Sequence, residues 1–183
     1  MKAELLRAIV DEPDVVEHWH PLADYLQQQD DPRGELIAID LALEHADAAA
    51  ATPLVLRRTE ILAVAAPRLL GDTFAKVVAE GYGTIAWRRG FVDAVSYIGS
   101  ASLGHKRSVG WLVRLMTQTF EPFVLLRRLS LRYTDLADVT PLLGFAHLVE
   151  LDLAHTDVRD VAALRALPRL RTLDVAGTRV TPS

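Results

Sequence analysis

Apolar residues recur every 22 residues between positions 123 and 180 of the chain. Each copy reads L-x-x-L-x-L-x-x-T, with valine at the last apolar position of the third copy, and the copies begin at Leu126, Leu148 and Leu170. The L-x-L alternation predicts a short strand with two inward-facing side chains, followed by a turn and a short helical return. Because a unit of this length cannot bury its own apolar side, successive copies must stack on one another.

This pattern resembles a leucine-rich repeat in its short form. The resemblance covers about a third of the chain and implies a solenoid whose parallel sheet forms a concave face. That family usually carries asparagine at the ninth repeat position, but this chain contains no asparagine and has Thr134, Thr156 and Thr178 there. A threonine hydroxyl can donate and accept one hydrogen bond each, which predicts a smaller version of the same role at the turn.

Two aspartates also recur with the same period, as Asp135 with Asp157 and Asp138 with Asp160. Repeated acidic residues raise the hypothesis of a metal site. Asp138 and Asp160 precede the predicted short helices, however, and an aspartate at that position caps free backbone N–H groups. Capping is therefore the interpretation that we favour.

The N-terminal part of the chain has helical periodicity. The pattern predicts helices over residues 2–10 and 15–29, a third beginning near Arg33 and Gly34, and a fourth from Pro53 to about Ala65. The segments D-P-R-G-E-L-I at 31–37 and W-R-R-G-F-V at 87–92 are similar to motifs of the bacterial repeat-companion domain, a helical unit found beside repeat arrays. That resemblance covers about 95 residues and implies no established activity.

Three polar residues of this region allow two interpretations. Asp24, Arg33 and Glu35 could form a catalytic cluster. We favour a structural role, in which a charge-assisted bond between Asp24 and Arg33 holds two neighbouring helices together near a tight turn.

Between the two parts, residues 85–98 have the character of extended structure and residues 108–119 that of a helix. Val92, Val95 and Tyr97 match the strand signature of the repeats and predict a leading strand on the same sheet. We therefore predict an α/β protein (α+β by sequence order). Residues 1–80 would form a helical cap over one end of the solenoid, and residues 81–183 the leading strand, the helix and about three repeats.

Composition excludes several kinds of chemistry. The chain has no cysteine, which rules out disulfides, thiolate catalysis and cysteine-ligated metals. His18 and His20 point apart on a helix and cannot share a metal, and no nucleotide-binding or hydrolase motif is present. The sequence thus predicts a protein that is not an enzyme and has no cofactor and no metal.

The charges are distributed unevenly along the chain. Residues 1–80 carry 15 acidic and 7 basic side chains, for a net charge of −8, whereas residues 81–183 carry 9 and 13, for +4. The overall charge of −4 and the lack of interleaved aromatics argue against a nucleic-acid partner. No signal peptide or membrane span is predicted, so we expect a cytoplasmic bacterial protein.

The predicted function is a protein-interaction module that binds an unidentified protein partner. The residues predicted to contact this partner lie on or beside the concave face: Arg128, Arg132, Tyr133, Glu150, Asp152, His155 and Asp174. An alternative is an inhibitor or immunity-type protein that blocks a toxin or nuclease, with its acidic half imitating nucleic acid. The last repeat is predicted to be uncapped, which also raises self-association through that end as a hypothesis.

Overall fold

The structure, a computed structural model, describes residues 1–97, 108–118 and 121–180. The chain divides into two compact units. The first contains Met1–Leu70 and Trp87–Phe91, and the second contains Gly71–Ala86 and the chain from Val92 onward. The predicted division into domains 1–80 and 81–183 stays a prediction.

The first unit is helical. It contains α1 (Lys2–Asp11), a 3-10 helix (Val16–His18), α2 (Trp19–Gln28), α3 (Pro32–Leu43) and α4 (Ala48–Leu70). Its core includes a cluster in which α3 contributes leucine and isoleucine and α4 contributes isoleucine and alanine, namely Leu36, Ile39, Ile61 and Ala65. Among the helices of the described residues, none combines the length and the apolar character that a membrane span requires.

The motif at residues 31–37 contacts the motif that begins at residue 87. Asp31 caps α3 by accepting a hydrogen bond from the Arg33 N–H, and it also accepts from the Arg33 side chain. Gly90 lies directly against the backbone of Arg33, and the Arg33 guanidinium stands 5.7 Å from the centre of the Phe91 ring. Residues about 60 positions apart in sequence therefore form one packed element of the first unit.

The second unit contains most of a five-stranded sheet with the strand order β1-β2-β3-β4-β5. The two strands of the initial hairpin are β1 (Gly83–Arg88) and β2 (Phe91–Tyr97), and α5 (Asp72–Ala79) precedes them. The remaining elements follow in chain order: α6 (Gly110–Gln118), a 3-10 helix (Glu121–Phe123), β3 (Arg128–Ser130), a 3-10 helix (Thr140–Gly144), β4 (Glu150–Asp152), a 3-10 helix (Ala162–Ala166) and β5 (Thr172–Asp174).

The sequence period equals the register of the sheet. Strands β3, β4 and β5 are parallel, and Leu129 pairs with Leu151, which pairs with Leu173. The leading strand is confirmed, because β2 pairs in parallel with β3 and places Val95 beside Leu129. The threonine prediction is also confirmed for the donated bond, since the hydroxyls of Thr134, Thr156 and Thr178 each donate to the carbonyl three residues earlier. At Thr178 the accepted bond is present as well, from the Val180 N–H.

Capping explains one of the two pairs of recurrent aspartates. Asp138 accepts from the Thr140 N–H and Asp160 accepts from the Ala162 N–H, each at the start of a 3-10 helix. The bond from Thr140 also lowers the pKa of Asp138 below its ordinary value, since it stabilises the carboxylate. Asp135 accepts from the Val109 N–H at the start of α6.

Three details of the predicted elements are wrong. Helix α4 begins at Ala48, five residues before Pro53, because Asp47 accepts from the Ala50 N–H and caps the helix earlier. The predicted helix over 15–29 is split into a 3-10 turn and α2, and helix α5 was missed. The extended structure predicted for residues 85–98 is confirmed over the described residues, where β1 and β2 form two strands. Residue 98, like residue 119 of the predicted helix, lies outside the described part of the chain.

Candidate functional site

One side of strands β3, β4 and β5 carries polar side chains in straight rows. Their central residues, Leu129, Leu151 and Leu173, point to the interior, and the residues on either side point outward. Strand pairing places Arg128, Glu150 and Thr172 in one row and Ser130, Asp152 and Asp174 in the next. We call these six residues the sheet face.

Each copy of the repeat has a left-handed backbone conformation at the same position after the strand. Tyr133 has φ of 59°, His155 has φ of 58° and Gly177 has φ of 67°. Residues other than glycine rarely adopt this backbone conformation. It costs free energy, which the packing of the surrounding fold must offset. The rings of Tyr133 and His155 are stacked with centroids 4.6 Å apart and an angle of 4° between their planes. We call this pair the Tyr133–His155 stack.

At the third position of this series, the imidazole of His155 packs against Gly177. A Cβ atom built on Gly177 would lie only 2.6 Å from Cε1 of His155, well inside van der Waals contact. The glycine therefore satisfies two requirements at once, the positive φ and the room for the histidine ring.

We expect Gly177→Ala to lower the free energy of unfolding of the second unit by about 2 kcal/mol, because it adds a steric overlap to a strained φ. Combining it with His155→Ala should recover part of this loss, since the second change removes the overlapping ring. Chemical denaturation of the two single variants and the double variant measures the coupling between the two sites. Strictly additive losses would contradict the contact.

A nearly buried carboxylate lies beside the sheet face. Asp93 of β2 is 6% exposed, and its two oxygens accept from Nε of Arg127 at 2.5 Å and from Nη2 of Arg128 at 2.7 Å. Burial raises the pKa of Asp93, but the hydrogen bonds and charges of the two arginines outweigh this and hold the pKa below its ordinary value. Asp93 is thus ionised at neutral pH, and it orients Arg128 at one side of the face.

Two acidic residues of the face have structural roles. Asp152 accepts from the Ala154 N–H and from the Ser130 hydroxyl, and Nε of Arg132 stands 3.7 Å from it. Asp174 accepts from the Ala176 N–H in the same way. Both carboxylates therefore hold the turn that follows their strand. Substitution of either one would disturb the fold as well as any contact with a partner.

The sequence-predicted residues occupy three different situations in the structure. Tyr133 and His155 are brought into direct contact, and the Arg132 guanidinium lies 5.4 Å from the Tyr133 ring centre. Arg128, Asp152 and Asp174 are engaged as described above. Glu150 is exposed and makes no ion pair or hydrogen bond through its side chain with any described residue, which leaves it free to contact another molecule.

Sequence reasoning missed Asp93 as part of this region. The available signal was a single acidic residue within the otherwise apolar strand F-V-D-A-V-S-Y, followed about 34 residues later by two adjacent arginines. Neither feature predicts the contact by itself, because the pairing depends on the register between β2 and β3.

The cluster proposed in the first unit is not assembled. Arg33 bonds to Asp31, and Glu35 accepts both Nε and Nη2 of Arg57 at 2.7 and 3.0 Å. Asp24 is exposed on α2 and has no bond to Arg33, so the predicted link between them is wrong. The geometry favours Asp31 because it caps the same helix turn that carries Arg33.

A second arginine of the first unit is nearly buried. Arg89 donates to Glu44 and to the Pro13 carbonyl, and its guanidinium lies 4.9 Å from the Trp19 ring centre.

Within the residues that the structure describes, no group of three histidine, aspartate or glutamate side chains could hold a metal ion.

Comparison with known proteins identifies no relative of this chain. No protein-family model matches it, and neither a curated protein nor a solved structure matches it significantly. The sheet face must therefore be interpreted from its own geometry.

Proposed function

We propose that the chain is a non-enzymatic interaction module of the leucine-rich repeat class that works in the bacterial cytoplasm. Its sheet face, together with the Tyr133–His155 stack, binds a protein partner. The observation that carries this proposal is the exact coincidence of the 22-residue period with the register of three parallel strands. Such a register presents rows of exposed side chains on a regular backbone.

The buried leucines beneath the sheet face favour the binding of a protein partner. Leu129 and Leu151 are at most 2% exposed, so the strands that display the face are anchored in the core. Side chains held on rigid elements lose little conformational freedom on binding, which favours affinity. The face also combines arginine with an aromatic stack, and both residue types are enriched among those that dominate protein interfaces.

The charges of the first unit favour this proposal over the nuclease-inhibitor alternative. A mimic of nucleic acid needs carboxylates that are free to face a basic site. Several acidic residues of the first unit are instead paired with arginines of the same unit: Asp31 with Arg33, Glu35 with Arg57, Asp40 with Arg58, and Glu44 with Arg89.

We expect a photo-crosslinking amino acid at the exposed position of Thr172 to capture a defined protein in the cells that produce the chain. Adding Glu150→Arg should reduce the yield of that product about tenfold, because it reverses the free charge next to the probe. Glu80→Arg, at the exposed C-terminal end of α5, is the matched control and should leave the yield unchanged. Mass spectrometry identifies and quantifies the product.

Two results would contradict the proposal. The first is equal capture by the Glu150→Arg and Glu80→Arg chains, which would place binding elsewhere. The second is the absence of any crosslinked protein that depends on irradiation. Circular dichroism of each variant establishes that the substitutions leave the fold intact.

A further inference from the structure

A groove lies at the β5 end of the second unit. Its volume is about 850 Å³, and most of its lining is apolar, including Leu164, Leu167, Leu170, Leu173 and Val180. Leu148, Leu151 and Leu153 of the second copy are at most 1% exposed, whereas the equivalent residues of the third copy, Leu170, Leu173 and Val175, are only partly buried. The groove thus presents apolar surface that the preceding copies bury against a neighbour.

The backbone at this edge is also incompletely bonded. In the second copy, the N–H groups of Leu153 and His155 donate to the carbonyls of Asp174 and Ala176, and the Val149 carbonyl accepts from the N–H groups of Arg171 and Thr172. The same groups one repeat later are the N–H groups of Val175 and Gly177 and the carbonyl of Arg171. They have no hydrogen-bond partner among the described residues. An edge of this kind is a template for an added strand.

The charges around the groove indicate what such a strand would carry. Elsewhere in the chain most arginines are paired with carboxylates, but those of the last two copies make no ion pair with any described residue: Arg159, Arg165, Arg169, Arg171 and Arg179. Arg159 and Arg165 line the groove itself. Asp160 also lines it, with one oxygen accepting from the Ala162 N–H.

We propose that this groove binds an extended segment of a partner protein that has apolar residues at alternate positions and acidic residues on both sides of them. The apolar side chains cover the leucines, the backbone bonds to the free edge of β5, and the acidic groups face the arginines. This binding site adjoins the β5 end of the sheet face but uses other groups, namely the groove leucines, the backbone edge and the arginines. A second copy of the chain docked symmetrically through the same groove would bring arginines against arginines, which like-charge repulsion disfavours.

Short fluorescein-labelled peptides test this proposal in the full chain by fluorescence anisotropy. One peptide carries leucine and valine at alternate central positions, serine between them and acidic residues at both ends; a second carries lysine at the ends. We expect the acidic peptide to bind at least about tenfold more tightly than the lysine peptide. N-methylation of alternate backbone nitrogens in the acidic peptide should abolish its binding, because it removes the donors that reach the Arg171 side of the edge.

Protein variants provide the second part of the test. Arg159→Glu with Arg165→Glu should reverse the preference between the two peptides. The control is Arg68→Glu with Arg114→Glu, which makes the same change in net charge at exposed arginines that also lack an ion pair to a described residue. It should keep the original preference. Circular dichroism tests folding, and Arg159→Gln with Arg165→Gln replaces the first variant if charge reversal unfolds it; the preference should then be lost.

Three outcomes would overturn the proposal. Equal binding of the two peptides would remove the role of charge, and unchanged binding of the N-methylated peptide would remove strand addition. A concentration-dependent dimer in sedimentation velocity that disappears in the Arg159→Glu, Arg165→Glu chain would assign the groove to a second copy. The crosslinking test of the sheet face depends on Glu150 of β4, which does not line the groove, so the two proposals fail separately.

Discussion

Leu151→Ala is expected to lower the free energy of unfolding of the second unit by about 3 kcal/mol. Leu151 is the central residue of β4 and is 1% exposed, and its strand lies between β3 and β5. Truncation removes apolar contacts and leaves a cavity that the neighbouring strands can fill only in part. Because stacked units are stabilised by their nearest neighbours, the loss should weaken the strands on both sides.

The repeat itself provides the controls for this measurement. Leu129→Ala removes the same atoms from β3, where the leucine is 2% exposed, and should cost about as much. Leu173→Ala removes them from β5, where the leucine is only partly buried, and should cost only about 1 kcal/mol. Guanidinium denaturation measures the losses, with hydrogen exchange to assign them to the second unit. Equal losses at Leu151 and Leu173 would contradict the difference in burial.

Gly34→Ala is expected to destabilise the first unit by about 3 kcal/mol, whereas the same change in an exposed helix stabilises by up to about 1 kcal/mol. Gly34 lies in α3, and a Cβ built there would stand 2.6 Å from the backbone nitrogen of Gln27 and 2.7 Å from the backbone oxygen of Ala23. Both atoms belong to the backbone of α2, which no side-chain rotation can move aside. The two helices must separate, and the packing between them is lost.

The matched control is Gly110→Ala in α6, where an added Cβ meets no heavy atom within 4 Å. That variant should be at least as stable as the original chain, because it gains helix propensity without an overlap. Thermal unfolding followed by circular dichroism compares the two, with hydrogen exchange of α2 and α3 as the local probe. A Gly34→Ala chain as stable as the original would show that α2 and α3 do not approach so closely.

The left-handed positions of the sheet region depend on the core beneath them. Tyr133 follows β3 and His155 follows β4, and buried leucines hold these two strands in register. This packing sustains the left-handed backbone conformation at both residues. The same conformation turns both rings so that they stack in a ladder along the ends of the strands. We therefore expect Leu151→Ala to loosen the Tyr133–His155 stack before it affects the first unit.

Much of the second unit could be predicted from residue spacing alone. The period of 22 residues fixes which leucines must be neighbours, and Leu129, Leu151 and Leu173 are paired as the period requires. The hydroxyl bonds of Thr134 and Thr156 follow from the same argument, since each connects residues only three apart. Local periodicity carries this information because stacked repeats make the same contact again at each step.

Tertiary structure alone decided the contacts between residues that have no repeated spacing. The pairing of Asp93 with Arg127 and Arg128 depends on the register between β2 and β3, and the contact of Gly90 with Arg33 depends on a hairpin that the sequence pattern did not reveal. Helix order predicts a bond between Asp24 and Arg33, yet the arginine bonds to the closer carboxylate of Asp31. The sequence by itself determined the ladder of buried leucines, because that ladder is a local pattern repeated. The tertiary structure determined which charged residues form ion pairs, because a charged side chain pairs with whichever partner the fold brings nearest.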